Sequence, residues 1–209
     1  MQGLIGKKIG MTQVWDSQGR LVPVTVIEAG PCPVVQMKAP GKDGYTAAQV
    51  GFGAQQAKRL SKAVAARFEK AGVAPCRMLR EFRLDEGETR KPGDQVTVEI
   101  FEGIKWVDVS ATTKGRGFAG VVRRYRMAGG AMTHGGHSKR RIGSIGARDL
   151  PGWVEKGKRM PGHMGAVTRT ARNLVVVQIR KEDNLILVQG AIPGPTGSMV
   201  VIRKALKKG

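Results

Sequence analysis

Leu174-Val-Val-Val-Gln-Ile-Arg-Lys-Glu-Asp-Asn-Leu-Ile-Leu-Val-Gln189 decides the fold. Residues 174–179 and 185–189 are apolar runs of strand length, and Arg180–Asn184 between them is a short polar loop, which together signal a β-hairpin. A lone hairpin has too little to pack on. Its simplest partner is the β-rich segment at the other end of the chain. There, residues 22–29 put Val22, Val24 and Val26 on one face and Pro23, Thr25 and Ile27 on the other. Residues 33–37 and 45–52 are further short strand candidates. Residues 95–101 alternate, with Val96, Val98 and Ile100 expected inside and Thr97 and Glu99 outside. Residues 199–203 add a last strand after the turn-forming Pro193-Gly-Pro-Thr-Gly197. Short strands with Gly and Pro punctuation predict a small barrel, mainly β with minor α, assembled from residues 1–110 and 173–209.

Helix enters as an insertion at about 60–83. Residues 61–71 carry Leu60, Val64, Phe68 and Ala71 on one stripe, with Ser61 as the cap and Gly72 as the terminator. Residues 76–82 read as a second short helix or turn. A third short helix is expected at 118–126, with Arg123, Arg124 and Arg126 fanned around it.

The segment between the two barrel halves is of another kind. Residues 111–172 hold fourteen Lys and Arg against Asp149 and Glu155, so this stretch carries +12 of the chain's +20. It is Gly-rich and has no sustained apolar period. Its charge repels itself and its apolar side chains are too few to bury, so it calls for a polyanion to order it. It reads as a basic, non-globular extension, an excursion from the barrel. Folded out and back, its upper-bound reach is on the order of 100 Å at roughly 3.3 Å per residue, and local turns and helix cut this by half or more.

The residue types fit RNA. Lys139-Arg140-Arg141, and Arg123-Arg124 with Arg126, have the form of phosphate clamps, because arginine offers a planar fork and lysine a mobile point charge. Lys114, Arg116, Arg148, Lys156, Lys158, Arg159, Arg169 and Arg172 extend the set, and Lys7 and Lys8 add to it from the N-terminal segment. His134, His137 and His163 invite a metal reading, but no Cys, Asp or Glu nearby completes a ligand set, and contact with bases or phosphate suits them better. Trp153 and Tyr125 either stack on bases or pack against the segment's own Met and Ile residues.

Other classes find little support. The 209 residues allow one domain with a long insertion or two small domains, and 41% hydrophobic content is enough for a core in the less basic parts. No run of 18 apolar residues exists, so no membrane span is expected. Cys32 and Cys76 read as small core residues in a reducing compartment. The N-terminal residues lack the apolar region of a signal peptide, so a bacterial-type cytosol is the expected address. Lys114-Gly-Arg-Gly117 lacks the spacing of a phosphate-binding loop. No catalytic constellation and no cofactor signature stand out. The rivals are an RNA-modifying enzyme with a basic arm and a DNA-binding architectural protein.

Several strings resemble one family. Gly3-Leu-Ile-Gly-Lys-Lys-Ile-Gly-Met-Thr12, Val22-Pro-Val-Thr-Val26 with Gly30-Pro-Cys-Pro-Val-Val-Gln36, and Asp43-Gly-Tyr45 open the match. Thr113-Lys-Gly-Arg-Gly-Phe-Ala-Gly-Val121, Gly143-Ser-Ile-Gly146 and Gly157-Lys-Arg-Met-Pro-Gly-His-Met-Gly165 continue it, and Asn184-Leu-Ile-Leu-Val-Gln-Gly-Ala-Ile-Pro-Gly194 ends it. In this order they resemble the bacterial large-subunit ribosomal protein L-three family. The resemblance implies a closed six-stranded Greek-key barrel of the translation-protein type, with the extension directed toward the peptidyl transferase centre. It implies binding to large-subunit ribosomal RNA near its 3′ end, early in assembly, beside the families L-fourteen and L-nineteen. With no catalytic constellation or cofactor signature in the residues, no enzymatic activity and no cofactor are expected. Many members carry Gln after Gly-Ser-Ile-Gly, methylated in some. Here the position is Ala147, which has no amide to modify.

Overall fold

The computed structural model describes every residue except 17, 86, 208 and 209. Its elements run β1 (Gly3–Trp15), β2 (Leu21–Ala29), β3 (Cys32–Lys38), α1 (Pro40–Asp43), β4 (Ala47–Ala54), α2 (Lys62–Ala71), β5 (Cys76–Arg83), β6 (Gln95–Val96) and β7 (Trp106–Thr112). They continue with β8 (Phe118–Ala119), α3 (Val121–Tyr125), β9 (Gly162–His163), β10 (Thr168–Arg180), β11 (Leu185–Gln189) and β12 (Met199–Lys204). The chain forms two compact units, Met1–Thr112 with Thr168–Gly209, and Thr113–Val167.

Six antiparallel strands close a barrel in the order β1-β12-β7-β10-β11-β2. The hairpin at 174–189 does join the N-terminal strands. β11 pairs with β2 from Leu185↔Glu28 to Gln189↔Val24, and β10 pairs with β7 from Thr168↔Thr112. β7, β10, β11 and β2 lie side by side, with a long connection from β2 to β7, which is the Greek-key arrangement. Alternation along β7 sends Val107, Val109 and Ala111 inward. They meet Leu4, Ile5, Ile27, Ile186, Val188, Val200 and Ile202 in one core. Thr25 is fully buried, and its hydroxyl donates to the Gly190 carbonyl at 2.6 Å, so no polar atom is stranded there.

The candidates at 33–37 and 45–52 are strands, but they lie outside the barrel. β3 and β4 belong to a second sheet ordered β5-β4-β3-β6. One face of that sheet adds Val34, Val50, Phe82 and Val96 to the same core. On Val35 and Cys76 sits α2, whose Phe68 is 1% exposed, with Leu60, Val64 and Ala71 beside it. The stripe read from the sequence is therefore the docking face of the helix. Gly72 ends the helix in the left-handed region, and Ser61 sits at the cap position without a side-chain hydrogen bond.

Two local expectations are corrected. Residues 76–82 are neither helix nor turn; they form β5, paired with β4 from Ala47↔Arg83 to Ala54↔Cys76. Three arginines masked the alternation that puts Cys76 and Phe82 inside. Residues 95–101 are not one strand. Only Gln95 and Val96 pair with β3, and the chain then winds into a 3₁₀ turn over Val98–Phe101. The three-residue repeat of that turn buries Val98 and Phe101, where simple alternation had placed Val98 and Ile100. Both cysteines are free and buried, and burial pushes the Cys32 thiol up to about 12.

Lys8 departs from its neighbour Lys7. Lys7 is exposed, but Lys8 is 8% exposed, and its ammonium donates to the Ile192 and Gly194 carbonyls at 3.0 Å each. It ties β1 to the turn before β12. Lys8→Ala strands two carbonyls and is expected to cost about 1–3 kcal/mol. Lys7→Ala is expected to stay within about 0.5 kcal/mol, as an ordinary surface change does. Urea unfolding of the two variants checks this, and equal losses would contradict it.

Asp85 closes the other end of the same strands. Its carboxylate accepts from Lys204 Nζ at 2.9 Å and from the Met1 amine at 3.1 Å, and the Lys204 bond leads in holding its pKa below the ordinary 3.8. A depressed carboxylate stabilises above its unfolded value and loses that contribution as pH falls through the folded value. Asp85 is 42% exposed, so solvent keeps the contribution below about 1 kcal/mol. The Tm gap between the parent and Asp85→Asn should be present at pH 6 and vanish once the carboxylate protonates, below pH 3.8. A gap that widens on acidification would contradict this.

Candidate nucleic-acid interface

Thr113–Val167 is held by backbone rather than by a core. Of its described side chains only Ala119 and Val121 are buried among the apolar residues. The two ends of the unit run together: the Thr113 amide donates to Val167 O at 3.0 Å, Arg116 to Met164 O at 2.8 Å and Met164 to Gly117 O at 2.9 Å. β8 then pairs with β9, Phe118 opposite His163 and Ala119 opposite Gly162. This ladder needs glycine at Gly165, where φ is +78° and a Cβ would lie 2.2 Å from the Lys114 carbonyl oxygen. Gly129 repeats the device, with φ +78° and a Cβ position 2.5 Å from Lys139 O.

The short helix expected at 118–126 is α3, whose five residues begin after Gly120 and end at Arg126 in the left-handed region. It carries Arg123 and Arg126 outward. Arg124 turns inward instead. Its Nη1 donates to the Met160 carbonyl at 2.7 Å, and its guanidinium lies over the Tyr125 ring at 5.0 Å. Arg159 lies over the same ring at 5.7 Å. Tyr125 is thus half-buried with two guanidiniums against its ring, a cation–π arrangement. Gly162 makes room for it, since a Cβ there would sit 2.7 Å from Arg124 Nη1. Nothing in the sequence signals that Arg124 and Gly162, thirty-eight residues apart, share a contact.

The remaining cations face out. Lys114, Arg116, Lys139, Arg140, Arg141, Arg148, Lys156, Lys158 and Arg159 are exposed, as are His134, His137 and His163. Trp153 is 66% exposed, and Phe118 and Leu150 stand out further, at 80% and 88%. The unit holds twelve Lys and Arg against two acids. Among the described residues its single ion pair joins Arg148 to the adjacent Asp149 at 3.9 Å, with both side chains about nine-tenths exposed. Ala147 is exposed on the same loop. Arg169 and Arg172 are exposed on β10, in the barrel unit, and Lys7 is exposed on β1. Among the described residues no group of three or more His, Cys, Asp or Glu could hold a metal ion, and no helix is long and apolar enough to cross a membrane.

Such a surface can do one kind of chemistry well. Unpaired guanidiniums and ammoniums, glycine-lined backbone and exposed aromatic and apolar side chains suit phosphates and the faces of bases. General acid–base or nucleophilic work needs paired groups that the unit lacks among its described residues.

Comparison with known proteins agrees with this surface. The family model for Ribosomal protein L3 matches residues 88–185. The chain is 49% identical over 208 residues to the large ribosomal subunit protein uL3 of Brachyspira hyodysenteriae, covering all of this chain and 96% of that one. It is 46% identical over 210 residues to the uL3 of Corynebacterium jeikeium, with 100% and 96% covered. Against the uL3 of Pelotomaculum thermopropionicum it is 49% identical over 206 residues, with 99% and 98% covered. Identity at this level from end to end, over a barrel and a basic insertion of the expected kinds, means that the chain belongs to the ribosomal protein L3 family.

Proposed function

We propose that the chain is a non-catalytic structural component of the large ribosomal subunit in the bacterial cytoplasm, and that its ligand is large-subunit ribosomal RNA. The observation that carries this reading is the charge of Thr113–Val167, which meets one weak ion pair among the described residues. RNA phosphates are the counterpart that this charge lacks. Family membership supports the subunit, through relatives that bear its name along their whole length.

The finer reading follows from the same features. The segment 111–172 acts as an extension that enters RNA, while residues 1–110 and 173–209 form the body. Its exposed Lys, Arg and His residues, with Trp153, contact phosphates and bases. Lys7, Arg169 and Arg172 add contacts from the barrel, and Arg124 serves the extension from within by holding Met160 and Tyr125. Binding lies near the 3′ end of the RNA and comes early, so that the protein nucleates folding of the subunit. The tip, roughly His134 to Arg148, tunes geometry near the peptidyl transferase centre without doing chemistry there, and Ala147 excludes amide methylation at that position. Members of the families L-fourteen and L-nineteen are its neighbours.

A tagged copy should sediment with the large subunit alone on a high-salt gradient, whereas a position at the top of the gradient, or on DNA, would overturn the reading. Deleting residues 130–148 should leave the barrel's Tm unchanged and lower the yield or the peptidyl-transfer rate of large subunits. Normal subunits and normal translation from that deletion would refute the role of the tip.

A further inference from the structure

The barrel unit carries a second surface of the same chemical kind. Alternation that sends Val107, Val109 and Ala111 into the core leaves Asp108, Ser110 and Thr112 on the outer face of β7. Ser110 sits between Thr170 of β10 and Val201 of β12, Thr112 pairs with Thr168, and Asp108 pairs with Arg203. The Ser110 and Thr170 hydroxyls are 2.7 Å apart. Two grooves of about 220 and 600 Å³ run over this face and share Ser110 and Arg203. Arg80 of β5 lines the first, and Arg172, Lys204 and Lys207 line the second.

Five cations thus meet two carboxylates, and both carboxylates are already engaged. Asp85 holds Lys204 at 2.9 Å, and Asp108 accepts the Asn173 amide at 2.7 Å. Arg80, Arg172 and Arg203 have no carboxylate at ion-pair distance among the described residues. Arg203 lies over the Phe82 ring at 5.8 Å, a stack that uses the guanidinium face and spares its N–H donors. Guanidinium forks beside a row of hydroxyls form a donor-rich strip suited to successive phosphate oxygens.

We propose that this outer face of β7, β10 and β12, walled by Arg80, Arg172 and Arg203, is a second RNA contact that grips the phosphate backbone of ribosomal RNA and acts separately from Thr113–Val167. The inference rests on the ribosomal RNA reading above and adds Arg80, Arg203 and the hydroxyls to the residues that meet RNA. The barrel in this account takes part in binding and is more than a mount for the basic segment.

The test is the salt dependence of binding between the full chain and large-subunit ribosomal RNA transcribed in vitro. The triple variant R80Q/R172Q/R203Q should keep its Tm and lower the log–log salt slope by roughly 2–3, at about 0.7–0.9 for each phosphate no longer neutralised. The Lys triple R80K/R172K/R203K, which retains the charge, should keep most of the slope. If the Gln triple melts early, the single variants R80Q and R203Q take its place, each expected to lower the slope by just under ~1. K139Q/R140Q/R141Q is measured in parallel. A smaller slope from both Gln triples supports the proposal. A smaller slope from the 139–141 triple alone overturns the barrel contact and leaves the ribosomal RNA reading standing, while no change from either overturns that reading itself. An unchanged slope from the barrel triple, joined to its loss from washed subunits, would assign the face to a protein partner and overturn the RNA proposal.

Discussion

Between Thr113 and Val167 lie twelve Lys and Arg, and the described residues supply one ion pair at 3.9 Å to offset them. That imbalance constrains everything else about the chain. Like charges repel over about 8 Å at physiological salt, so side chains a few residues apart feel one another. A unit under such stress cannot gather a core around its cations, and only Ala119 and Val121 are buried among its apolar residues. Its backbone carries the shape instead, through the paired ends, the β8–β9 ladder and glycines that admit a carbonyl where a Cβ would collide. Water and counterions satisfy the charges in the free chain. Phosphates do so at lower cost, because binding them releases the counterions.

The barrel is built on the opposite principle. Its strands pair through main-chain bonds, and their inward side chains need no partner from outside. The two exceptions inside it are chemically closed: Thr25 on Gly190 O, and Lys8 on the Ile192 and Gly194 carbonyls. The basic unit lies between β7 and β10, whose ends pair as Thr112↔Thr168. An insertion at a point where two strands are already paired leaves the sheet register untouched. This is how one sequence holds a self-sufficient fold and a segment whose charge looks outward for its partner.

Much of this was legible in the residues, and the parts that were not have physical reasons. The hairpin at 174–189 announced itself through two apolar runs and a polar loop, and closing a sheet was the way to bury it. The α2 stripe was legible because 3.6-residue spacing survives in Leu60, Val64, Phe68 and Ala71. β5 was not, because its arginines occupy outward and groove-facing positions alike and hide the period of two. The 3₁₀ turn at Val98–Phe101 was lost because one turn cannot be told from a strand by three apolar residues. In the basic unit, charge and glycine content were visible at once. The inward turn of Arg124 onto Met160 and Tyr125 was not, since contacts between residues far apart in sequence leave no local pattern. The burial of Lys8 was hidden for the same reason: next to Lys7 it looks like half of a cationic pair, and only the barrel shows that β1 turns it inside.

The central claim is that the charge of Thr113–Val167 is completed by RNA. Amide hydrogen exchange of the full chain, free and bound to large-subunit ribosomal RNA, tests it most directly. Bound RNA should slow exchange across Thr113–Val167 at least several-fold, and by a larger factor than in the core amides of β11. Unchanged exchange in Thr113–Val167 at saturating RNA would contradict the account.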